Sequence, residues 1–211
     1  MRVMLLGASG LVGSRVLPRL LSDRRCSGVV APARRPLRAR DARLENPVLD
    51  FGALPTAPDW ARVDAVICAL GTTRAQAGSR EAFARVDHDY PLAFARLAQG
   101  QGAGVFVLNS AVGANARSPF FYNRVKGALE DDLRGLGFAA LTLVRPGVIG
   151  GERSQRRPAE QLAQRVLGLF GPVLPRGWRL NPADVIAAAL VEAALDPQPG
   201  QTVVPARDLV G

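Results

Sequence analysis

Short, continuously apolar runs alternate with longer helical patterns along the chain, and this alternation restricts the fold more than any other feature. The predicted strands are RVMLL (2–6), GVVA (28–31), PVLD (47–50), DAVICAL (64–70), GVFVLN (104–109), AALTLV (139–144) and TVVP (202–205). The predicted helices cover 11–22, 80–99, a segment that Ser118 caps and that Gly135 and Gly137 end, 159–167 and 182–195. The capped helix carries a predicted apolar stripe of Val125, Leu129, Leu133 and Leu136. Apolar strands separated by helices are typical of a parallel sheet covered on both faces. We therefore predict a doubly wound α/β fold, in one domain spanning 1–211.

The composition supports a globular protein, and it does not favour a nucleic-acid partner. The chain has 211 residues, 48% of them hydrophobic, which is enough for one full core. Its formal net charge is +9, but the basic side chains are scattered and mixed with 18 acidic ones. They are dense only in 33–43 and 152–158, where aromatic residues do not interleave with them. We interpret the charge as compositional background.

The cysteines and the apolar segments bear on location. Cys26 and Cys68 are far apart, and Cys68 lies inside an apolar run, so we expect reduced, buried thiols. The first apolar run is soon interrupted by glycines, and no segment approaches the ~20 apolar residues of a membrane span. These features predict a cytoplasmic protein without a membrane segment. We expect no metal site, because the sequence has no His/Cys cluster.

A glycine-rich turn follows the first predicted strand. In VMLLGASGLVGSRVL, Gly7, Gly10 and Gly13 lie between a strand and a helix. Such glycines permit a tight turn, close approach of the backbone to a pyrophosphate, and tight packing of the helix, whose amide-rich N-terminus faces the phosphates. The turn predicts a dinucleotide site, and the remaining contacts that we assign to it here are Ser9, Leu11 and Val12.

The second predicted strand indicates which nucleotide is bound. NAD sites place an acidic residue there for the ribose 2′-hydroxyl, whereas NADP sites place arginine there for the 2′-phosphate. Here GVVAPARRP contains Arg34 and Arg35 and no acid, which favours NADP. Asp50 is a candidate acceptor for the adenine amino group, and Ala69, Leu70 and Gly71 form a small-residue loop suited to lie beneath the adenosine. Both features are also compatible with ordinary strand ends.

The only lysine of the chain, Lys126, stands four residues after Tyr122, whereas lysine and arginine together number 27. Residues i and i+4 share a helix face. A phenol ionises only near pH ~10 in water, and a nearby cation favours the phenolate. An ammonium can also bond the nicotinamide ribose hydroxyls. Ser110 ends the preceding strand, where its hydroxyl could donate to a substrate carbonyl, so Ser110, Tyr122 and Lys126 are the predicted catalytic group.

Together, GASGLVG, Ser110 and YNRVK resemble the short-chain dehydrogenase/reductase superfamily. The segments CALGTTRAQAG, VDHDYP, YNRVKGALE and RPGVIGGERSQRRP, in this order, look more narrowly like the atypical members grouped with the Tat-interacting protein. The resemblance implies a Rossmann fold, NADPH binding, Arg34 at the 2′-phosphate, and Pro146 to Val148 beside the nicotinamide. The superfamily's common NNAG loop is ALGTT here, so the proton relay of typical members does not carry over.

These features predict an NADPH-dependent oxidoreductase that reduces a carbonyl of a small molecule. An NADP(H)-binding regulatory protein without turnover is the alternative, and an NAD(P)-dependent epimerase or dehydratase is the third hypothesis. A small substrate-side segment is predicted at about 146–180, with Phe170 and Trp178 as candidate apolar walls. His88, the only histidine, is interpreted as a helix-surface residue. A homodimer or another protein partner is compatible with the resemblance.

Overall fold

A computed structural model of the protein describes residues 1–150 and 180–210. Its strands are β1 (Arg2–Leu6), β2 (Gly28–Val30), β3 (Leu44–Glu45), β4 (Ala65–Cys68), β5 (Val105–Asn109), β6 (Ala140–Arg145), β7 (Ile149–Gly150), β8 (Asn181–Pro182) and β9 (Gly200–Pro205). Its helices are α1 (Gly13–Ser22), α2 (Arg74–Ala77), α3 (Arg80–Ala84), α4 (Tyr90–Gly100), α5 (Phe121–Leu136) and α6 (Ala183–Leu195). A π-helical turn, Arg85–Asp89, joins α3 to α4.

Seven parallel strands form one sheet in the order β3-β2-β1-β4-β5-β6-β9. Side chains of successive strand residues point to opposite faces. In β1, Val3 and Leu5 pack into the cluster beneath α1 and α6, while Met4 and Leu6 pack into the cluster beneath α4 and α5. Both faces of the sheet are therefore buried, and the predicted doubly wound α/β fold is confirmed.

Several predicted boundaries differ from the structure. The PVLD segment is not a regular strand: Val48 forms only an isolated bridge with Ala33, and the strand beside β2 is β3, just upstream. The helix predicted over 80–99 is interrupted by the π-helical turn. The helix predicted over 159–167 and most of the predicted substrate-side segment, with Phe170 and Trp178, lie outside the described residues.

The start of α5 also differs from the prediction. Ser118 does not cap the helix, because its hydroxyl accepts from the Phe120 amide in a turn that precedes it. The helix begins at Phe121 and ends at Gly137, which adopts a left-handed conformation with φ 76°. Gly135 does not end the helix, since it lies within its last turn. Val125, Leu129 and Leu133 are buried, and Leu136 is partly buried against the same core cluster, so the predicted apolar stripe packs on the sheet.

Two absences are recorded for the described residues. In 1–150 and 180–210, no helix combines the length and apolar character that crossing a bilayer requires. The same residues contain no group of three or more His, Cys, Asp or Glu side chains arranged to hold a metal ion. Cys26 and Cys68 are both buried free thiols, and burial raises the pKa of Cys68 to about 11.

Candidate functional site

The glycine turn lies where the strand order of the sheet reverses. β1 pairs with β2 on one side and with β4 on the other. The loops that follow β1 and β4 therefore leave the sheet side by side, at its carboxyl edge. Ligands of open α/β sheets bind at such switch points. The two loops touch: the Ala69 amide donates to Leu6 O at 2.9 Å, and a Cβ added to Gly7 would lie 2.6 Å from Ala69 O. Gly7, at φ 81°, is thus required by both conformation and packing.

The other two glycines of the turn have different surroundings. A Cβ at Gly13 would lie 2.0 Å from Gly7 O, so the start of α1 packs against the turn itself. A Cβ at Gly10 would lie 3.2 Å from the same oxygen, and Gly10 lines the cleft above. Gly7 and Gly13 therefore shape the turn from beneath, while Gly10 leaves its upper surface open to a ligand.

A cleft of about 1010 Å³ opens above the turn and contains most of the predicted site. The predicted residues that line it are Ser9, Gly10, Leu11, Val12, Arg34, Ala69, Leu70, Gly71, Ser110, Tyr122 and Lys126. Six predicted residues do not line it: Gly7, Gly13, Arg35, Asp50, Pro146 and Val148. The structure thus brings the glycine turn, one arginine of the second strand and the predicted catalytic group to a single cavity.

Asp50 and Arg35 lie apart from the cleft. The Asp50 carboxylate accepts from the Gly52 amide at 2.8 Å, which closes a local turn after the segment that was expected to be a strand. Arg35 is exposed, and only its neighbour Arg34 reaches the cavity wall. The prediction that Asp50 serves the adenine has no support in this arrangement, because the missing strand no longer delivers its side chain to the sheet edge.

The loop from Pro146 to Val148 is fixed mainly by backbone contacts. Pro146 O accepts from the Val112 amide at 2.8 Å, and Val148 is half exposed. Asn181 is fully buried; its Oδ1 accepts from the Gly147 amide at 2.6 Å, and its Nδ2 donates to Ala206 O at 2.9 Å. The loop is therefore joined to the C-terminal part of the fold, and Ile149 just beyond it lines the cleft.

Lys126 is held by a buried partner. Its Nζ lies 2.8 Å from Asp87 Oδ1, and the two side chains are 5% and 1% exposed. Burial opposes the charged ammonium, but the interactions with Asp87, Tyr122 and Cys68 together outweigh it and raise the pKa of Lys126. Asp87 Oδ2 accepts from the Thr72 amide at 2.7 Å. Asp87 thus holds the lysine charged and ties it to the loop after β4.

The π-helical turn explains how Asp87 reaches this position. A π turn inserts one extra residue into a helix, and such turns are frequent at functional sites. Here it places Asp87 inward, while its neighbour His88 faces the outer side, with ring nitrogens 2.9 Å from Asp89 Oδ1 and from Asp132 Oδ2. His88 does not line the cleft, in keeping with its interpretation as a surface residue.

We expect Asp87→Asn to lower the free energy of unfolding by about 3–5 kcal/mol, because it leaves a buried ammonium without a countercharge. The matched control is Asp89→Asn, which removes an exposed carboxylate from the same helical turn and should cost less than about 1 kcal/mol. Urea denaturation of the two variants measures the difference. Equal losses would contradict the assignment of Asp87 as the countercharge of Lys126.

Tyr122 lies at the border between cleft and solvent. Its side chain is 40% exposed, and its ring centroid lies 5.8 Å from that of the fully buried Phe83 at an interplanar angle of 57°. It lies one turn before Lys126 on α5, and its electrostatic interaction with Lys126 raises the pKa of the lysine. The phenol is thus anchored by Phe83 and accessible to a ligand, with a charged ammonium nearby.

Ser110 differs from its expected role. The residue is 4% exposed, and its hydroxyl donates to Glu130 Oε1 at 2.6 Å. Its hydrogen is therefore engaged by a protein carboxylate and does not point to a substrate. Glu130, a residue of α5, ends the segment YNRVKGALE that carries the family resemblance, but the sequence assigned it no role.

Two further residues of the cleft were missed. Arg15, on the first turn of α1, lines the cavity and lies 3.5 Å from Asp184. Asn109, at the end of β5, also lines it, and its Oδ1 is buried without a hydrogen-bond partner among the described residues. The sequence offered one signal for each. Arg15 stands two residues after the last glycine of the turn, and Asn109 stands just before Ser110.

The residues of the cleft fit a dinucleotide cofactor. The glycine turn offers a surface that side chains would obstruct, and Gly71 admits close approach, since a Cβ there would lie 3.2 Å from Asp87 Oδ1. Within 1–150 and 180–210, Asn109 Oδ1 is a buried acceptor that lacks a donor, and a ribose or amide group of a ligand can supply one. Arg15, Arg34 and Lys126 line the cleft and provide positive charge.

Comparisons with known proteins agree with this geometry. The model of the NAD dependent epimerase/dehydratase family matches residues 3–125. The chain is 38% identical over 203 residues to Protein fmp52, mitochondrial, of Aspergillus fumigatus, covering 92% of this chain and 86% of that protein. It is 36% identical over 206 residues to Protein HTATIP2 of Rattus norvegicus, covering 94% and 83%.

Solved structures show the same fold. MoeE5 in complex with UDP-glucose and NAD superimposes with a TM-score of 0.71 at 18% identity, covering 96% of this chain and 75% of that one. A putative NAD-dependent epimerase/dehydratase from Bacillus halodurans gives 0.67 at 21%, covering 100% and 98%.

The expected cytoplasmic location is wrong on these comparisons. Relatives that are 35–38% identical over most of the chain are named as mitochondrial proteins. The expectation rested on reduced thiols and on the lack of a membrane span, and both of these are equally compatible with the interior of an organelle.

Proposed function

Because the chain belongs to the NAD dependent epimerase/dehydratase family, we propose that it is an NADPH-dependent oxidoreductase that reduces a carbonyl group of a small molecule. The observation that carries the proposal is the position of Tyr122 and Lys126 in one cleft with the glycine turn. An exposed phenol near a charged ammonium, in the same cleft as the glycine turn, is suited to donate a proton to a bound carbonyl group.

When bound, NADPH supplies a hydride to the carbonyl carbon. Tyr122 donates a hydrogen bond to the carbonyl oxygen and then transfers its proton to that oxygen as negative charge develops there. Lys126 stabilises the resulting phenolate electrostatically, and its remaining N–H donors are available to ribose hydroxyls. Asp87 keeps Lys126 charged, and Asn109 Oδ1 accepts a hydrogen bond from the cofactor.

The preference for NADPH is supported by Arg34, which follows the second strand, and Arg15, on the first turn of α1, because both line the cleft. Guanidinium groups bind phosphate strongly through charge-assisted hydrogen bonds. We expect Arg34→Ala to weaken NADPH binding by about 10-fold, the loss of one such bond, and to leave NADH binding nearly unchanged. Fluorescence titration with each nucleotide measures this.

Arg35→Ala is the matched control for that titration. It removes the same charge from the adjacent residue, whose side chain does not line the cleft. Its NADPH affinity should stay close to that of the wild type. If Arg35→Ala weakened NADPH binding as much as Arg34→Ala, the preference would reflect the general positive charge of the surface rather than a phosphate site.

The experiment that tests the function combines binding with turnover. Purified protein is titrated with NADPH and NADH by calorimetry, and a panel of aldehydes, ketones and quinones is then screened for NADPH oxidation. Binding that favours NADPH, together with turnover of a carbonyl, is the expected result. Tight binding without turnover of any carbonyl would support the alternative, an NADP(H)-binding regulatory protein.

An NAD(P)-dependent epimerase or dehydratase is the second candidate, and the family match favours it. Solved neighbours of the same fold include proteins described in complex with UDP-glucose and NAD. An epimerase regenerates its cofactor in each cycle, whereas a reductase consumes NADPH in proportion to product. Incubation of sugar nucleotides with catalytic amounts of cofactor, followed by analysis of the products, distinguishes the two reactions.

A further inference from the structure

The carboxylate that binds Ser110 is held charged by two arginines. Glu130 is 1% exposed, and its Oε1 lies 2.9 Å from Arg145 Nε, while Oε2 accepts from Arg145 Nη2. Arg134 Nη2 lies 3.3 Å from Oε2. This pairing, through its hydrogen bond to Glu130, raises the pKa of Arg145. A carboxylate with this many cationic donors is ionised, and an ionised carboxylate only accepts hydrogen bonds.

The direction of the Ser110 hydrogen follows from that charge state. The distance of 2.6 Å from Ser110 Oγ to Glu130 Oε1 lies in the range of a charge-assisted O–H···O⁻ bond. Since Glu130 cannot donate, the hydrogen of the hydroxyl must point towards it. Ser110 lines the cleft, so the part of Oγ that a ligand can reach carries lone pairs. Towards a ligand, Ser110 is an acceptor.

The hydroxyl hydrogens of Ser110 and Tyr122 leave the lone pairs of Ser110 Oγ open to a donor from the ligand. Ser110 and Tyr122 each have one hydroxyl hydrogen. The first is bound to Glu130, and in the proposed reduction the second is given to the carbonyl oxygen. The lone pairs of Ser110 are therefore free to accept from a donor that neither residue supplies. A hydroxyl group on the substrate, adjacent to the carbonyl, is such a donor.

We propose that Glu130 is a positioning residue that fixes Ser110 as an acceptor, and that the site thereby selects carbonyl compounds with a hydroxyl group on the neighbouring carbon. The carbonyl oxygen of such a compound accepts from Tyr122, while the adjacent hydroxyl donates to Ser110. This inference rests on the proposed reduction. It adds a substrate class, the α-hydroxy aldehydes and ketones, and a role for a residue that does not touch the substrate.

Matched carbonyl pairs test the selection. Hydroxyacetone is compared with acetone, and 2-hydroxycyclohexanone with cyclohexanone, each with saturating NADPH. For each pair, the measured quantity is the ratio of kcat/KM for the hydroxylated compound to kcat/KM for its partner. We expect this ratio to be about 10-fold larger in the wild type than in Ser110→Ala, because one good hydrogen bond is lost in the variant. The electronic effect of the hydroxyl on the carbonyl persists in the variant, so the difference between the two ratios isolates the contact. Equal ratios in the two proteins overturn the proposal.

Glu130→Gln tests the positioning role. It should lower the ratio for each pair towards that of Ser110→Ala. An amide can donate as well as accept, so it no longer forces the Ser110 hydroxyl hydrogen to point towards residue 130. Asp131→Asn is the control: it removes an exposed carboxylate of the same helix, which also pairs with Arg134 but does not contact Ser110. A Glu130→Gln protein that is folded and keeps the wild-type ratio overturns the positioning role.

Neutron diffraction of wild-type crystals exchanged into D₂O locates the hydroxyl hydrogen of Ser110 directly, and it does not depend on turnover. Deuterium density between Ser110 Oγ and Glu130 is the expected result, and deuterium directed into the cleft overturns the proposal. This measurement also separates the two hypotheses. If no carbonyl is reduced by the wild type, the proposed function fails, while the position of the deuterium still decides whether Ser110 is an acceptor.

Discussion

Tyr122→Phe is expected to reduce turnover of the carbonyl substrate by a factor of about 10² to 10⁴, the usual contribution of a positioned proton donor. The substitution removes only the phenol oxygen. The ring and its contact with Phe83 remain, so the fold and the affinity for NADPH should be close to those of the wild type. Steady-state kinetics of the variant, with a parallel NADPH titration, measure both quantities.

Tyr90→Phe is the control for this experiment, because Tyr90 is the other tyrosine of the chain and also borders the cleft. Its ring packs edge-on against Phe51, with centroids 5.8 Å apart, and it lies on α4 rather than beside Lys126 on α5. It should lose far less turnover. If Tyr122→Phe retained the activity of the wild type, another group would have to supply the proton, and the proposed reduction would lose its donor.

Gly127→Ala is expected to lower the free energy of unfolding by on the order of 5 kcal/mol, the upper end for a single substitution. Gly127 lies directly after Lys126, and the segment that follows β5 crosses α5 at this point. A Cβ would lie 2.1 Å from Asn115 C and 2.2 Å from Ala116 N. These are backbone atoms, so a change of rotamer cannot relieve the clash, and either the segment or the helix must move.

Gly135→Ala, on the same helix, is the matched control. A Cβ there meets nothing within 4 Å, and alanine favours a helix over glycine by about 0.8–1.0 kcal/mol. The same substitution should therefore stabilise the protein at one position and strongly destabilise it at the other. Urea denaturation measures the free energy of unfolding of the two variants. Equal changes would show that the segment at Asn115 and Ala116 lies far enough from α5 to accommodate a Cβ at position 127.

The sequence alone could identify the glycine turn and the Tyr122–Lys126 pair because both are local. Glycine spacing after a strand and residues four apart on a helix are fixed by a few consecutive backbone units. The predicted cap at Ser118 was wrong for a related reason. Capping signals act within one turn, and here the chain makes an extra turn at Ser118 to Phe120 before the helix begins.

The partners of these groups could not be predicted. Asp87 meets Lys126, and Glu130 meets Ser110, only after strands and helices from different parts of the chain have packed together. Asp87 and Glu130 fall within the segments VDHDYP and YNRVKGALE, but nothing in the sequence paired either of them with Lys126 or Ser110. The inward position of Asp87 further depends on the π-helical turn, because its inserted residue changes which side chains face inward. The sequence shows no clear pattern that predicts this turn.

The sequence by itself therefore determined the fold class, the glycine turn and the Tyr122–Lys126 pair, because each depends on short-range patterns. Tertiary structure decided that Asp50 stays away from the cleft, that Arg34 rather than Arg35 reaches it, and that Ser110 gives its hydrogen to a buried carboxylate. These outcomes depend on which charged and polar groups are buried together. Burial makes unpaired charges costly, so the pairing that forms is set by the packed fold rather than by distance along the chain.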